Sequence, residues 1–263
     1  MTTPRTYRIE AVTLKATTFA ERDRLLILYS PSEGKLRAVA KGVRRTTSKL
    51  AGHVGLLSHA ALFLVHGRTF DLVTQGQTIE AFPLLHQDLW RAGYAFYVAE
   101  LMDRFTEERQ ANPGLFEALL GVLRHLNDPD QDAALCVRAF ELDLLALVGY
   151  RPQLYHCVAC SQPIEPAENS FSPADGGVLC PSCSARPTAA PISVEALRIL
   201  RNLQTRPQEI VGRVRVSRDT LDQAEHVLIG YIQYLLDVRV RSNQFIEVLR
   251  RLRSAQERSG VLG

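Results

Sequence analysis

The 263-residue sequence predicts an α+β protein, with a small β-barrel at the N-terminus, then an α-helical domain into which a four-cysteine module is inserted. Three observations predict this. Short runs rich in β-branched and large apolar residues fill residues 1–80 and are separated by turn chemistry. Beyond Phe82-Pro83 the apolar period lengthens from about two toward about 3.6. Cys157-x2-Cys160 and Cys180-x2-Cys183 stand nineteen residues apart, a spacing at which two knuckles can face each other.

The expected strands are Tyr7–Leu14, Arg24–Tyr29, Lys35–Lys41, Ala60–Val65 and Phe70–Thr78. Ser30-Pro31-Ser32-Glu33-Gly34 links the second to the third, and His66-Gly67-Arg68-Thr69 links the fourth to the fifth. Five short hairpin-linked strands in residues 1–80 suit a small barrel, of which the OB-fold is the common five-stranded case. A small sandwich and an SH3-like barrel remain open on these grounds.

Helices follow. Leu85 to about Thr106 reads as one helix, with Leu89, Ala92, Phe96 and Ala99 along a face. Asn112-Pro113 supplies an N-cap and a first-turn proline for a second, and Asp128-Pro129 offers the same device for a third. Gly149 and Pro152 mark the end of that third helix. Ser193 caps a helix running to about Thr205, and Ser217 starts another to about Val238. A last one carries Phe245, Val248, Leu249 and Leu252. The expected domains are therefore a barrel over 1–80, a helical domain over 81–154 resumed over 188–254, a metal module over 155–187, and a frayed end over 255–263.

Four cysteines in two C-x-x-C pairs match the tetrahedral sulfur cage that zinc prefers, and a cage filled by four thiolates leaves no open position for water. The expectation is one structural Zn2+ held by Cys157, Cys160, Cys180 and Cys183, with two disulfides as the alternative. His156 is a neighbouring candidate ligand. The opening Met1-Thr2-Thr3-Pro4-Arg5 has no apolar core segment, which points to a reducing cytoplasmic location where disulfides would not persist. No apolar run approaches the roughly eighteen residues of a membrane span. Cys136 reads as a core residue.

The net charge of +3 hides an uneven distribution. Residues 1–80 hold 12 Lys and Arg against 6 Asp and Glu, whereas residues 81–156 hold 6 against 11. All four lysines lie in the first fifty residues. Residues 189–263 hold 12 against 8, and such asymmetry points to a polyanion met by the two ends of the chain, not the middle. In the strand Lys35–Lys41 the two-residue period sends Lys35, Arg37 and Lys41 to one side, and Arg44, Arg45 and Lys49 follow in a hydroxyl-rich loop. These six cations are the candidate nucleic-acid-binding set; a lysine-protected edge strand is the alternative for that strand. A second basic set, Arg239, Arg241, Arg250, Arg251, Arg253 and Arg258, could meet phosphate, an acidic partner segment, or solvent alone. No Walker, Rossmann, zinc-protease or nucleophile-elbow motif occurs, and no histidine is followed two residues later by glutamate. The chain therefore reads as a binding protein, not an enzyme.

The run Asp23-Arg24-Leu25, Tyr29-Ser30, Gly34-Lys35 and Ala40-Lys41-Gly42-Val43-Arg44-Arg45 through Ser48-Lys49 resembles the bacterial RecO family of DNA repair proteins. So do Leu147-Val148-Gly149-Tyr150-Arg151-Pro152 ahead of Cys157-Val158-Ala159-Cys160, and Gly176-Gly177-Val178-Leu179-Cys180. The resemblance covers nearly the whole chain in order. It implies an N-terminal OB-fold, a helical domain and a zinc region. It also implies a recombination mediator without nucleotide hydrolysis, which binds single- and double-stranded DNA and anneals complementary strands. Such a protein works with RecR to load RecA onto DNA coated by single-strand-binding protein. A zinc-ribbon RNA-binding or transcription-associated protein is the alternative.

Overall fold

The structure is a computed structural model that describes residues 6–238, 240, 242 and 245–250. Close contacts divide it into two units, 1–127 with 241–263, and 128–240. This division cuts through the expected first helical segment, 81–154: its front part belongs with the strands.

In the first unit, β1 (Thr6–Thr18) is long enough to serve two neighbours. Its first half runs antiparallel to β4 (His59–Val65) and its second half antiparallel to β2 (Arg24–Ser30). The register shifts between Thr13 and Lys15. At that point the Thr13 carbonyl accepts from the Leu57 amide at 2.8 Å and the Thr13 amide donates to the Ser58 carbonyl at 3.1 Å. β2 pairs with β3 (Gly34–Ala40), β3 runs parallel to β5 (Asp71–Glu80), and β5 returns to β4. The order β1-β2-β3-β5-β4 closes a five-stranded barrel, the OB-type arrangement among the three expected from sequence. All five strands fall where the alternation placed them, each extended by one to four residues at one or both ends, except that Lys41 lies just beyond β3 and Phe70 just before β5.

Period two fills the interior. Ile9, Ala11, Leu26, Leu28, Leu36, Ala38, Leu62, Leu64 and Val73 point inward and are almost completely buried. The connection from β3 to β4 contains no regular helix, yet Val43 and Val54 belong to the same core and Leu50 packs against it. Gly76 makes room for this, since a Cβ there would lie 3.0 Å from His53 Cβ and 3.2 Å from Leu50 Cδ1.

The single helix expected from Leu85 to Thr106 is two: α1 (Leu84–Gln87) and α2 (Leu89–Phe105). Asp88 between them is extended and accepts the amides of Trp90 at 2.8 Å and Arg91 at 3.1 Å, so it caps α2 instead of continuing α1. α3 (Pro113–Leu126) starts at the Asn112 cap as expected. Gly93 on α2 faces the helical residues 245–250, where a Cβ would lie 3.2 Å from Leu249 Cδ1. Leu252 and 255–263 lie outside the described residues.

In the second unit, α4 (Ala133–Leu147) is capped by Asp132, not by Asp128, whose carboxylate instead accepts the Asp130 amide at 3.0 Å in a turn. Cys136 is buried in α4. Beyond Gly149, at φ +87°, come β6 (Asn169–Ser172), β7 (Gly177–Leu179) and β8 (Ala190–Ile192), a small sheet ordered β7-β6-β8. Then α5 (Val194–Thr205), the short α6 (Pro207–Ile210) and α7 (Arg218–Leu236) follow. Ser193 and Ser217 cap α5 and α7 through the amides of Ala196 at 3.1 Å and Thr220 at 3.3 Å. Arg138 of α4, 1% exposed, lies between Glu141 on its own helix and Glu225 on α7, at 2.7 and 2.9 Å. Arg138 stands three residues after Leu135 and four before Leu142, so helical spacing puts it on their buried face, where it requires a charged partner.

Candidate nucleic-acid interface and cysteine cluster

The cations of β3 do not share one exposed face. Lys35 is 13% exposed, and its Nζ is 3.3 Å from Asp103 Oδ1 and also donates to the Asp103 carbonyl. It is committed to α2. Arg37 is 52% exposed, with Nε 2.6 Å from Glu108 Oε1. A surface pair of this kind stabilises by about 0–1 kcal/mol, so Arg37 can exchange Glu108 for another anion at small cost.

Lys41, Arg44, Arg45 and Lys49 behave as expected of binding residues: all four are exposed, and none is in an ion pair among the described residues. The segment that carries them is well anchored, contrary to the loose loop its composition suggests. Gly42, at φ +63°, donates its amide to Asp23 Oδ1 at 2.8 Å. The Arg44 amide donates to the Arg22 carbonyl and its Nη1 to the Glu21 carbonyl, each at 3.1 Å. With Val43 and Val54 held in the barrel core on either side, the intervening cations are presented outward from a fixed base. Arg22 and Arg24 are exposed beside them and lie outside the six expected cations. The register could have found Arg24: it pairs with both Thr18 and Ala40, next to Lys41. Of the C-terminal arginines only Arg250 is described; Arg239, Arg241, Arg251, Arg253 and Arg258 lie outside the described residues.

The β4–β5 loop is tied down by Asp71, which is 5% exposed. Its carboxylate accepts from Tyr7 Oη and Arg109, and from the Gly67 amide at 3.1 Å. Burial alone would raise the Asp71 carboxyl, but Tyr7, the Gly67 amide and Arg109 outweigh it and hold it below the ordinary carboxylate range. Burial, with the Asp71 hydrogen bond, pushes the Tyr7 phenol up to about 12.

The four cysteines come together. All their Sγ atoms lie within 4.8 Å of one another, and Cys160 Sγ is 3.8 Å from Cys180 Sγ. That separation is far beyond a disulfide's roughly 2.05 Å. It is the edge, about 3.8 Å, of a tetrahedron whose centre is about 2.3 Å from each sulfur, the zinc–thiolate distance. Each knuckle is a tight turn. The Ser161 amide donates to the Cys157 carbonyl at 2.8 Å, with Ser161 at φ +61°, and the Cys183 amide donates to the Cys180 carbonyl at 2.9 Å. Among the described residues the cluster contains cysteines only, so His156 stands outside it.

The thiols are unequal. Burial pushes Cys157 up, but the amides of Cys180, Cys160 and Ala159 outweigh it and bring it down to about 6. Cys183 is pushed up to about 12, first by Cys180 and then by Cys160. Crowded sulfurs resist ionising together unless a cation joins them, so the donor set fits a divalent soft-to-borderline metal such as zinc.

The module is fastened by residues whose role the sequence did not reveal. Arg201 on α5 donates from Nε to the Leu154 carbonyl at 2.8 Å and lies over the Tyr155 ring. Gly177 must lack a side chain, since a Cβ would lie 2.6 Å from both the Gln153 carbonyl oxygen and Val158 Cγ1.

A closed OB-type barrel with a basic connection, followed in one chain by a helical unit bearing a paired-knuckle cysteine cluster, defines the class: an OB-barrel protein with a metal-type appendage. The comparisons make it specific. The family description "Recombination protein O N terminal" matches residues 1–82 and "Recombination protein O C terminal" matches residues 86–244. The chain is 42% identical over 249 residues to the DNA repair protein RecO of Roseiflexus sp. (strain RS-1), spanning 94% of this chain and 87% of that one. It is 36% identical over 251 residues to the DNA repair protein RecO of Dehalococcoides mccartyi (strain ATCC BAA-2266 / KCTC 15142 / 195), spanning 95% and 99%. It is 33% identical over 250 residues to that of Symbiobacterium thermophilum, spanning 94% and 99%. The chain belongs to the RecO family of DNA repair proteins. Among the described residues, no helix is long and apolar enough to cross a membrane.

Proposed function

We propose that the chain is a recombination mediator that acts in the cytoplasm, on nucleoid DNA. It binds single- and double-stranded DNA without reading sequence, anneals complementary strands, and with RecR helps load RecA onto DNA coated by single-strand-binding protein. It carries out no catalysis of its own. The observation that carries the reading is the set Lys41, Arg44, Arg45 and Lys49, exposed and outside ion pairs on a connection anchored in the barrel core. Arg37 joins them by exchanging Glu108 for phosphate, and Lys35 serves as an internal ion pair.

Annealing requires a surface that screens the repulsion between two phosphate backbones while leaving base edges free. Arginine and lysine contacts to backbone do this irrespective of sequence. The cysteine cluster holds one structural zinc through Cys157, Cys160, Cys180 and Cys183. With every position filled by sulfur, the ion shapes its neighbourhood and activates no water.

The test is annealing of complementary oligonucleotides, bare and then coated with single-strand-binding protein, at two salt concentrations. Annealing accelerated in both cases, and slowed by salt, is expected. Annealing at the uncatalysed rate together with tight binding to structured RNA would replace this reading by the RNA-binding alternative.

A further inference from the structure

Phe19 stands on the loop between β1 and β2 with 51% of its surface exposed. Its backbone is fixed within a short turn: the Phe19 amide donates to the Asp23 carbonyl at 3.1 Å, and the Asp23 amide to the Ala20 carbonyl at 3.3 Å. The ring meets Phe70 edge-to-face, with centroids 5.8 Å apart and planes at 88°. Such a contact engages at most one face of a ring, so Phe19 keeps a face open. Phe63, also exposed, differs because the Arg8 guanidinium already lies over its ring at 5.6 Å.

The support beneath Phe19 is also fixed. Phe70 ends the β4–β5 loop, whose path requires Gly67: a Cβ there would lie 1.8 Å from the Phe70 carbonyl oxygen. The Gly67 amide is bound by Asp71, itself held by Tyr7 and Arg109. Both loops also carry cations. Arg22 lies three residues along the Phe19 turn, its carbonyl accepting the Arg44 amide, and Arg68 lies two residues before Phe70; all three arginines are exposed. An open aromatic face on loops that also carry exposed cations outside ion pairs offers a stretched single strand a surface for a base and partners for its phosphates.

We propose that Phe19 is a stacking platform for one unpaired base of single-stranded DNA, with Phe70 as its brace and Arg22, Arg44 and Arg68 receiving the flanking phosphates. The assignment rests on the DNA-binding reading above and adds strand discrimination to it. A base inside a duplex has both faces covered by its neighbours and cannot use the platform. A base stacked through its face also keeps its pairing edge free, which is the condition annealing needs.

The experiment compares anisotropy titrations of an oligothymidylate and a short duplex with wild-type protein, Phe19→Ala, Phe19→Leu and Arg44→Ala/Arg45→Ala. Phe19→Ala and Phe19→Leu should each weaken single-strand binding by about tenfold or more while leaving its salt dependence and duplex binding unchanged. Leucine keeps apolar bulk against Phe70, so it separates loss of stacking from loss of loop packing. The Phe19→Trp variant should bind as wild type and show additional emission that the single strand quenches and the duplex does not. Wild-type affinity in Phe19→Ala, an equal loss on both DNAs, or Phe19→Trp emission unmoved by the single strand would each overturn the platform while leaving the phosphate contacts standing. A wild-type protein that binds neither DNA would overturn both.

Discussion

The Asp23 carboxylate accepts the Gly42 amide at 2.8 Å, tying the β1–β2 loop to the start of the basic connection. A negative charge is thus kept beside the surface proposed to bind a polyanion, because its hydrogen bond sets the direction in which Lys41, Arg44 and Arg45 leave the barrel. Two substitutions separate the roles. Asp23→Ala loses the acceptor and should destabilise by about 1–2 kcal/mol in urea unfolding and weaken DNA binding despite the gain in net charge. Asp23→Asn keeps a side-chain oxygen and removes the charge, so it should unfold close to wild type and bind DNA more tightly at low salt.

Asp71 links stability to pH. Its folded carboxyl is held below the ordinary range, so its contribution is fully present above the unfolded value near about 4 and is lost as pH falls through the folded value. Glu80 shifts the same way, first through Arg124 and then, against burial, through His59. Thermal melts should therefore show Tm falling below about pH 4, with a shallower fall in Asp71→Asn. Equal acid sensitivity in the two proteins would remove Asp71 from the account.

The buried group of Arg138, Glu141 and Glu225 makes a third prediction. Arg138→Met removes the cation between two buried carboxylates of the second unit and should cost about 3–5 kcal/mol, read as a lower urea midpoint for that unit. Replacing all three, as Arg138→Met/Glu141→Leu/Glu225→Leu, should recover most of the loss.

The cysteine geometry predicts about one zinc per chain by elemental analysis. Cys157→Ser should release it and unfold the region around β6 and β7, since structural zinc supplies on the order of 10 kcal/mol of folding free energy. Because the four cysteines belong to the second unit, DNA binding by the barrel should survive. Two intact disulfides and no metal would contradict the cage.

Much of this was legible in the sequence because it rests on local rules. Alternation over residues 1–80 placed all five strands, since one face of each fills the barrel. The Asn112, Ser193 and Ser217 caps fixed three helix starts, and paired C-x-x-C spacing marked the cluster. What the sequence hid depends on partners far along the chain. Lys35 and Arg37 look alike by period, but only folding brings Asp103 and Glu108 against them and removes the first from the surface. Glu225, which pairs with Arg138 from α7, is 87 positions away, so no local pattern joins the two. Asp88 interrupts the helix expected from Leu85, and Asp132 caps α4 in place of Asp128, because a cap is decided by which carboxylate reaches the orphan amides.

The central claim is that the connection after β3 grips DNA through its phosphates. The most direct measurement is the slope of log affinity for single-stranded DNA against log salt, for wild-type protein and for Arg44→Ala/Arg45→Ala. Each phosphate contact contributes about 0.7 to that slope, so the double variant should be flatter by about 1.4. An unchanged slope at unchanged affinity would contradict the claim.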